Sequence, residues 1–359
     1  MNYGHGLQKM AEITISKVHN NMTENNDTKK YTAVAENAHS TVVAEYVSDT
    51  KRAEHYQSED ALEKAFIAQL ESQAYEYLKI TKEEDLVTNL RTQLEKLNDI
   101  TFSDKEWEYL FTHEIANPNA GIAEKTKTIQ EDYIKNLTRD DGSTKNIYLI
   151  NKKNIHDNNV QVINQYATED GQRSNRYDVT VLVNGLPLVH IELKRRGVAI
   201  QEAFNQINRY QRESFWAASG LFEYVQLFVI SNGTHTKYYS NTTRFAHIKE
   251  SSSGKARKGK KTSSSYEFTS WWADATNRPI ADLMDFSKTF FAKHSLLNVL
   301  TRYCIFTTDN LLLVMRPYQI YAVKAIVQCI EQDRGNGYIW HTTGSGKTLT
   351  SFKASTLLK

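Results

Sequence analysis

The pair Asn184-Gly185, set between the β-rich runs 177–183 (YDVTVLV) and 188–193 (LVHIEL), constrains the fold of this chain more than any other local feature. Asn-Gly accepts the positive φ angles of a tight two-residue turn, so the two runs are expected to form an antiparallel hairpin. Side chains alternate along a strand, which puts His190, Glu192 and Lys194 on one face. If partner numbers across the hairpin sum to 370, Asp178 lies opposite Glu192, and two carboxylates share a surface with an amine. A sum of 369 or 371 sends the acids to opposite faces.

The rest of the sequence sets the frame. The 359 residues are enough for two or more domains, and 40% hydrophobic with 24% charged residues is the balance of a soluble globular protein. A net charge of +2 argues for no partner, so any nucleic-acid role must come from local patches. Cys304 and Cys329 are the only cysteines, which excludes a disulfide framework and a four-cysteine zinc site. No run approaches the roughly 18 apolar residues that span a bilayer, and the first residues lack the apolar core of a signal peptide. The expectation is a soluble, cytoplasmic protein with no membrane partner.

Five regions are expected. Residues 1–55 read as a polar arm with one short strand near 41–44. Residues 56–250 read as a mixed-sheet domain. It opens with a helix from Ser58, where Leu62, Phe66, Ile67 and Leu70 recur at helical spacing, and a second helix over 84–97. Its β-runs are 147–150, 160–163, 177–183, 188–193 and 225–230, with a helix over 199–215. Residues 251–265 (SSSGKARKGKKTSSS) form a basic, flexible insertion, solvated or DNA-contacting, charged only by Lys255, Arg257, Lys258, Lys260 and Lys261. Residues 266–310 read as a connecting helical segment with Leu283, Phe286, Phe290 and Phe291 on its apolar side, and 311–359 as a nucleotide-binding region.

Two carboxylates on adjacent strands suit a hard cation such as Mg2+, and a neighbouring lysine can orient a water and stabilise charge on phosphorus. Asp178 with Glu192-Leu193-Lys194 resembles the core of the PD-(D/E)xK nucleases, although Tyr177 stands where that motif has proline. The resemblance implies a catalytic set of Asp178, Glu192 and Lys194, with Asp178 and Glu192 on the metal. Gln206 and Tyr210, four apart in the following helix, match the Q-x-x-x-Y motif of RecB-like nucleases. Glu63 matches the acid this fold supplies from an N-terminal helix, with Glu59 equally placed. Arg195, Arg196, Arg209 and Arg212 form a basic rim suited to a DNA backbone, and His190 reads as structural or DNA-facing.

The second motif is His341-Thr342-Thr343-Gly344-Ser345-Gly346-Lys347-Thr348, after the apolar run Tyr338-Ile339-Trp340, which is expected to be a strand. A glycine loop opening a helix turns backbone N–H groups toward phosphates. The cofactor-binding set is Thr343, Gly344, Ser345, Gly346, Lys347 for the β and γ phosphates, and Thr348, whose hydroxyl suits a second magnesium. Upstream, Arg316-Pro317-Tyr318-Gln319 resembles the Q motif of superfamily 2 helicases, with Gln319 as adenine reader and Arg316 as a supporting contact. Only eleven residues follow Thr348, so the nucleotide site reads as half encoded and this chain alone is expected not to turn over ATP.

Together, RYDVTVLVNGLPLVHIELKRRGVAI, NQINRY, LLVMRPYQI and GYIWHTTGSGKTLTSFKA resemble the restriction subunit of type I restriction-modification enzymes over roughly residues 56–359. That resemblance implies an α/β fold: a PD-(D/E)xK mixed sheet flanked by helices, then the beginning of a RecA-like P-loop motor. It implies an ATP-dependent site-specific deoxyribonuclease that translocates double-stranded DNA and cleaves at a distance from the recognition site. The cofactors would be Mg2+ and ATP, and the partners DNA with methyltransferase and specificity subunits; S-adenosylmethionine enters only through the methyltransferase. A RecB-like repair helicase-nuclease, or another P-loop DNA-dependent ATPase, is the alternative.

Overall fold

The structure, a computed structural model, describes residues 32–37, 40–45, 58–168, 175–243 and 265–359. The basic insertion, apart from Ser265, and the polar arm outside its strands lie outside the described residues. The chain divides into two units, Met1–Val47 and Ser48–Lys359. The first holds an antiparallel ribbon of β1 (Thr32–Asn37) and β2 (Ser40–Glu45), and the apolar run 41–44 falls within β2.

The second unit begins with α1 (Glu59–Glu71), whose N-cap Ser58 accepts the Ala61 N–H at 3.2 Å. Leu62, Phe66 and Leu70 are buried on one stripe of it, each contributing about 1.5–3 kcal/mol by leaving water. Then follow β3 (Glu76–Tyr77), α2 (Glu83–Asn98), α3 (Asp104–Tyr109) and α4 (Ile122–Gln130). β4 (Ile134–Thr138) and β5 (Thr144–Tyr148) make a separate ribbon. The run 147–150, expected in the main sheet, therefore starts in this ribbon and leaves it after Tyr148. Its apolar residues Leu149 and Ile150 are buried without belonging to a strand, because burial sets the hydrophobic signal and pairing does not.

β6 (Val160–Thr168), β7 (Asn175–Val183), β8 (Leu186–Leu193), β9 (Leu227–Ser231) and β10 (Thr236–Ser240) join β3 in a six-stranded sheet ordered β10-β9-β8-β7-β6-β3. The β8/β9 and β6/β3 pairs are parallel and the others antiparallel, so the sheet is mixed. Parallel neighbours need a long crossover, and α5 (Ile200–Glu213) supplies it between β8 and β9. Every residue of β8 and β9 is buried, the pattern of strands covered on both faces.

Beyond the insertion, α6 (Leu283–Phe290) and α7 (Lys293–Arg302) pack back onto the unit. Gln73 donates to the Ser287 carbonyl at 3.2 Å, and the Tyr75 hydroxyl to that of Phe291 at 2.8 Å. A ribbon of β11 (Cys304–Phe306) and β12 (Leu312–Val314) then leads to α8 (Pro317–Glu331) and α9 (Lys347–Leu357). The expected strand over Tyr338-Ile339-Trp340 does not form. Tyr338 and Trp340 are 87% and 88% exposed, and no strand among the described residues lies beside them. An apolar run becomes a strand only when a neighbour takes its backbone hydrogen bonds.

The hairpin turn is as the sequence predicts. Asn184 has φ 51° and Gly185 φ 82°, the signs a type I′ turn demands. A Cβ on Gly185 would lie 2.6 Å from the Leu90 Cα, so α2 presses directly on the turn. Asn184 is buried and locks the turn sideways: its amide donates to the Leu149 carbonyl (3.1 Å) and Asn158 Oδ1 (2.8 Å), and its Oδ1 accepts the Asn159 N–H (2.9 Å).

A two-residue turn dictates Val183↔Leu186 and Leu182↔Pro187, pairs that sum to 369. Between Leu182 and Val181 a β-bulge shifts the ladder, and Val181↔Val189, Thr180↔His190 and Val179↔Ile191 sum to 370. The extra residue is Leu188. Pro187, which has no N–H to give a ladder, sits at the bulge where it costs least. The turn alone sets the register that separates the acids, and the bulge restores the one that faces them.

Candidate functional site

One more step of the shifted register sets Asp178 against Glu192. The ladder ends there, and the Asp178 carboxylate takes its place: Oδ2 accepts the Leu193 N–H at 2.8 Å. Glu192 is fully buried, and its Oε1 accepts from Lys194 Nζ at 3.3 Å, while the same ammonium reaches the Leu193 carbonyl at 3.0 Å. Burial, reinforced by the Glu192 charge, pushes the Asp178 carboxyl up to about 7, against the pull of the Leu193 N–H and Lys194. Burial pushes Glu192 up to about 8 against the same ammonium. Two buried acids facing one another hold protons that a cation would displace.

α5 closes the site from the crossover side. Gln206 donates to the Tyr210 hydroxyl, as their four-residue spacing predicts, and that hydroxyl donates to the Arg176 carbonyl at 2.9 Å, two residues before Asp178. Burial raises the Tyr210 phenol, and the charges of Glu192 and Asp178 raise it further, so the tyrosine stands within the field of both acids.

On α1, Glu63 accepts from Asn164 and Gln165, both at 2.5 Å. The β6/β7 register, with Asn164↔Val179, puts Gln165 level with Asp178, where Gln165 adopts φ 54°. Glu59 lies closer to the lysine side: its Oε1 accepts the Arg195 N–H at 3.2 Å, and its charge acts on Glu192. Of the four rim arginines, Arg195 and Arg212 are exposed. Arg196 is committed to Thr234 (3.2 Å) and Asp282 (3.5 Å), and Arg209 lies 5.6 Å from the centre of the Tyr210 ring. His190 is fully buried, so its DNA-facing alternative falls.

The second candidate centre is the loop before α9. Gly344 and Gly346 have φ 80° and 81°, and Gly346 is the α9 N-cap. A Cβ on Gly346 would strike the Gln319 amide, whereas one on Gly344 would meet open space. Gln319 accepts the Arg316 N–H through Oε1 (2.9 Å) and donates through Nε2 to the Ser345 carbonyl (2.9 Å), so it clips the start of α8 to the loop. Lys347 Nζ lies 3.5 Å from both the His341 and Thr342 carbonyls, and Thr343 and Thr348 are exposed. Arg316, Gln319 and Gly344 to Gly346 line a cleft of about 270 Å³ whose other wall includes Tyr239 and Thr242.

Residues 56–247 match the family described as type I restriction enzyme R protein N terminus. The chain belongs to that family. Residues 312–359 also match the family described as type III restriction enzyme, res subunit. Among curated relatives, the Escherichia coli type I restriction enzyme EcoprrI endonuclease subunit is 47% identical over 295 residues, 82% of this chain and 89% of that protein. The Staphylococcus saprophyticus SsaAORF53P endonuclease subunit is 42% identical over 309 residues, 84% of this chain and 30% of that protein. A Staphylococcus aureus relative, SauMSSORF170P, is 41% identical over the same length and again spans 30%.

This R protein thus carries a pair of facing acids on its sheet. Among the described residues no group of three or more His, Cys, Asp and Glu side chains gathers around a metal-sized point. The donor set is two carboxylates, and Glu192 Oε2 is buried with no hydrogen-bond partner. A hard divalent cation that keeps waters or phosphate oxygens fits such a set. Sequence reasoning missed two things: the bulge at Leu188, which Pro187 marks, and the contact of Thr180 with His190, which follows from their pairing once the register is known. Among the described residues no helix is long and apolar enough to cross a membrane.

Proposed function

We propose that this R protein is the cleaving and motor subunit of a cytoplasmic type I restriction enzyme, with a PD-(D/E)xK nuclease fold followed by the start of a RecA-like motor. It hydrolyses DNA phosphodiester bonds at a distance from the recognition site, after ATP-driven translocation, in complex with methyltransferase and specificity subunits. The observation that carries this reading is Asp178 facing Glu192 with Lys194 on the Glu192 Oε1 at 3.3 Å.

In this reading Asp178 and Glu192 hold Mg2+. When bound, the cation supplies Lewis acidity, lowering the pKa of a water and neutralising the phosphate under attack. Lys194 is tethered to the Leu193 carbonyl as well as to Glu192, so its ammonium is fixed where it orients the nucleophilic water and meets the charge that grows on phosphorus. Tyr210, aligned by Gln206, braces the strand end before Asp178, and Glu63 braces β6 at the same level. Arg195 and Arg212 offer exposed charge to the DNA backbone.

The loop Thr343 to Gly346 with Lys347 and Thr348 binds ATP and its magnesium, and Gln319 with Arg316 reads the adenine. S-adenosylmethionine belongs to the methyltransferase. In the assembled complex, Asp178→Ala and Glu192→Ala are expected to abolish DNA cleavage, by about 100-fold or more, while DNA-stimulated ATP hydrolysis continues. Cleavage that survives either change refutes the assignment.

A further inference from the structure

Glu192 is fully buried, and its two oxygens are treated unequally. Oε1 receives Lys194 Nζ at 3.3 Å, but Oε2 has no hydrogen-bond partner. The polar atom in front of it is His190 Nε2, 3.4 Å away, which is also buried and also without a hydrogen-bond partner. Each orphan alone would cost about 1–3 kcal/mol. An acceptor and a ring nitrogen left facing one another need only a few tenths of an ångström to satisfy both.

The other ring nitrogen has a partner that can set the tautomer. His190 Nδ1 lies 3.2 Å from Thr180 Oγ1, and Thr180 is the cross-strand partner of His190 just past the bulge. A neutral imidazole has one donor and one acceptor nitrogen. In the tautomer in which the Thr180 hydroxyl donates to Nδ1, Nε2 carries the proton and faces Glu192 Oε2. The ring plane is fixed by edge-on neighbours: Tyr177, Tyr210, Phe215 and Phe228 have centroids 5.6, 6.1, 5.9 and 6.4 Å from that of His190.

Packing does not account for this residue. In an aromatic cluster phenylalanine fills the same role and leaves no orphaned nitrogen. Building on the metal site proposed above, we infer that His190 is a positioning residue. Its Nε2 holds Oε2 of Glu192 while Lys194 holds Oε1, and the carboxylate is kept in the one orientation that faces Asp178. Partners of this kind behind a metal-binding carboxylate are commonly worth 10–100-fold in metal affinity or activity.

The test titrates Mn2+ into the full chain by calorimetry and compares His190→Phe, His190→Gln and Glu192→Ala. Glu192→Ala is expected to lose the site. His190→Phe keeps the ring cluster and the melting temperature but is expected to bind Mn2+ about 10-fold or more weakly. His190→Gln, whose amide can donate from near the Nε2 position, is expected to stay near the parent. The inference is overturned if His190→Phe binds as the parent does while Glu192→Ala does not, or if Gln falls as far as Phe. If Glu192→Ala itself binds Mn2+ normally, the metal-site reading fails first, and the inference with it. Thr180→Val, which frees the tautomer, must also weaken binding; unchanged affinity there overturns the inference even where His190→Phe does not fold.

Discussion

At the scale of single residues, the cost of the site is written in the two acids. Asp178 and Glu192 hold their protons up to about 7 and about 8, well above the ordinary carboxyl range. A folded-state pKa raised above the unfolded one gives stability that is fully present below the unfolded value, near 4, and is lost as pH rises through the folded value. Without metal the protein is therefore expected to lose stability between about pH 4 and pH 8, the reverse of a chain whose carboxylates are well paired. Asp178→Asn removes one of the groups that must ionise. It should be more stable than the parent at about pH 9, by about 1–3 kcal/mol, with the gap closing toward pH 4. Melts in EDTA across that range decide it, and parallel profiles would mean that the pair is not what sets the slope. Asp178, Glu192 and Lys194 are legible in the sequence because alternation along a strand fixes the face of each. Glu63 and Glu59 are one helical turn apart on the same stripe, and only the packing of α1 on the sheet tells one from the other.

At the scale of elements, the hairpin shows where local rules stop. Asn184-Gly185 selects the turn, and the turn selects a 369 register that would leave Glu192 on the wrong face. The bulge at Leu188 corrects this by one residue, which in a structure of period two is a full reversal. A bulge answers to what lies on both sides of the strand, here α2 against Gly185 on one side and β9, whose pairing with β8 starts at Val189↔Leu227, on the other, so periodicity cannot announce it. Pro187 is its one sequence mark. Deleting Leu188 takes out the extra residue itself, so Val189 follows Pro187 opposite Val181 and Leu182, and the turn, the lower pairs and the facing of Asp178 and Glu192 are all expected to stay. Mn2+ binding by the chain and cleavage by the assembled complex should both persist. Loss of both, in a variant that still melts cooperatively, would show that pairing Asp178 with Glu192 is not enough and that the bend of the bulge itself shapes the site. The run Tyr338-Ile339-Trp340 makes the complementary point: its composition is that of a strand, but a strand is a relation between two segments, and none among the described residues stands beside it.

At the scale of the whole unit from Ser48 to Lys359, the acids and the glycine loop share a framework. β8 pairs with β9 and β9 with β10. From β10 the Tyr238 hydroxyl donates to the Met315 carbonyl at 3.3 Å, one residue before Arg316, whose N–H is held by Gln319. Lys353 of α9 donates to the Cys304 carbonyl at 3.1 Å, a second tie from the helix behind the loop. Continuous contact is not coupling, which requires that occupancy at one site change behaviour at the other. Two substitutions separate the cases. Lys347→Ala removes the ammonium that the nucleotide reading puts on the phosphates, and is expected to abolish ATP binding and turnover by the assembled complex. If cleavage waits on translocation, cutting by this variant falls as well, although Asp178, Glu192 and Lys194 are untouched and Mn2+ still binds. Asp178→Ala has the opposite signature, with ATP turnover retained and cutting lost. Cleavage by Lys347→Ala at the parent rate would break the dependence of the nuclease on the motor. Retained ATP turnover by the same variant would remove the glycine loop from the proposal altogether.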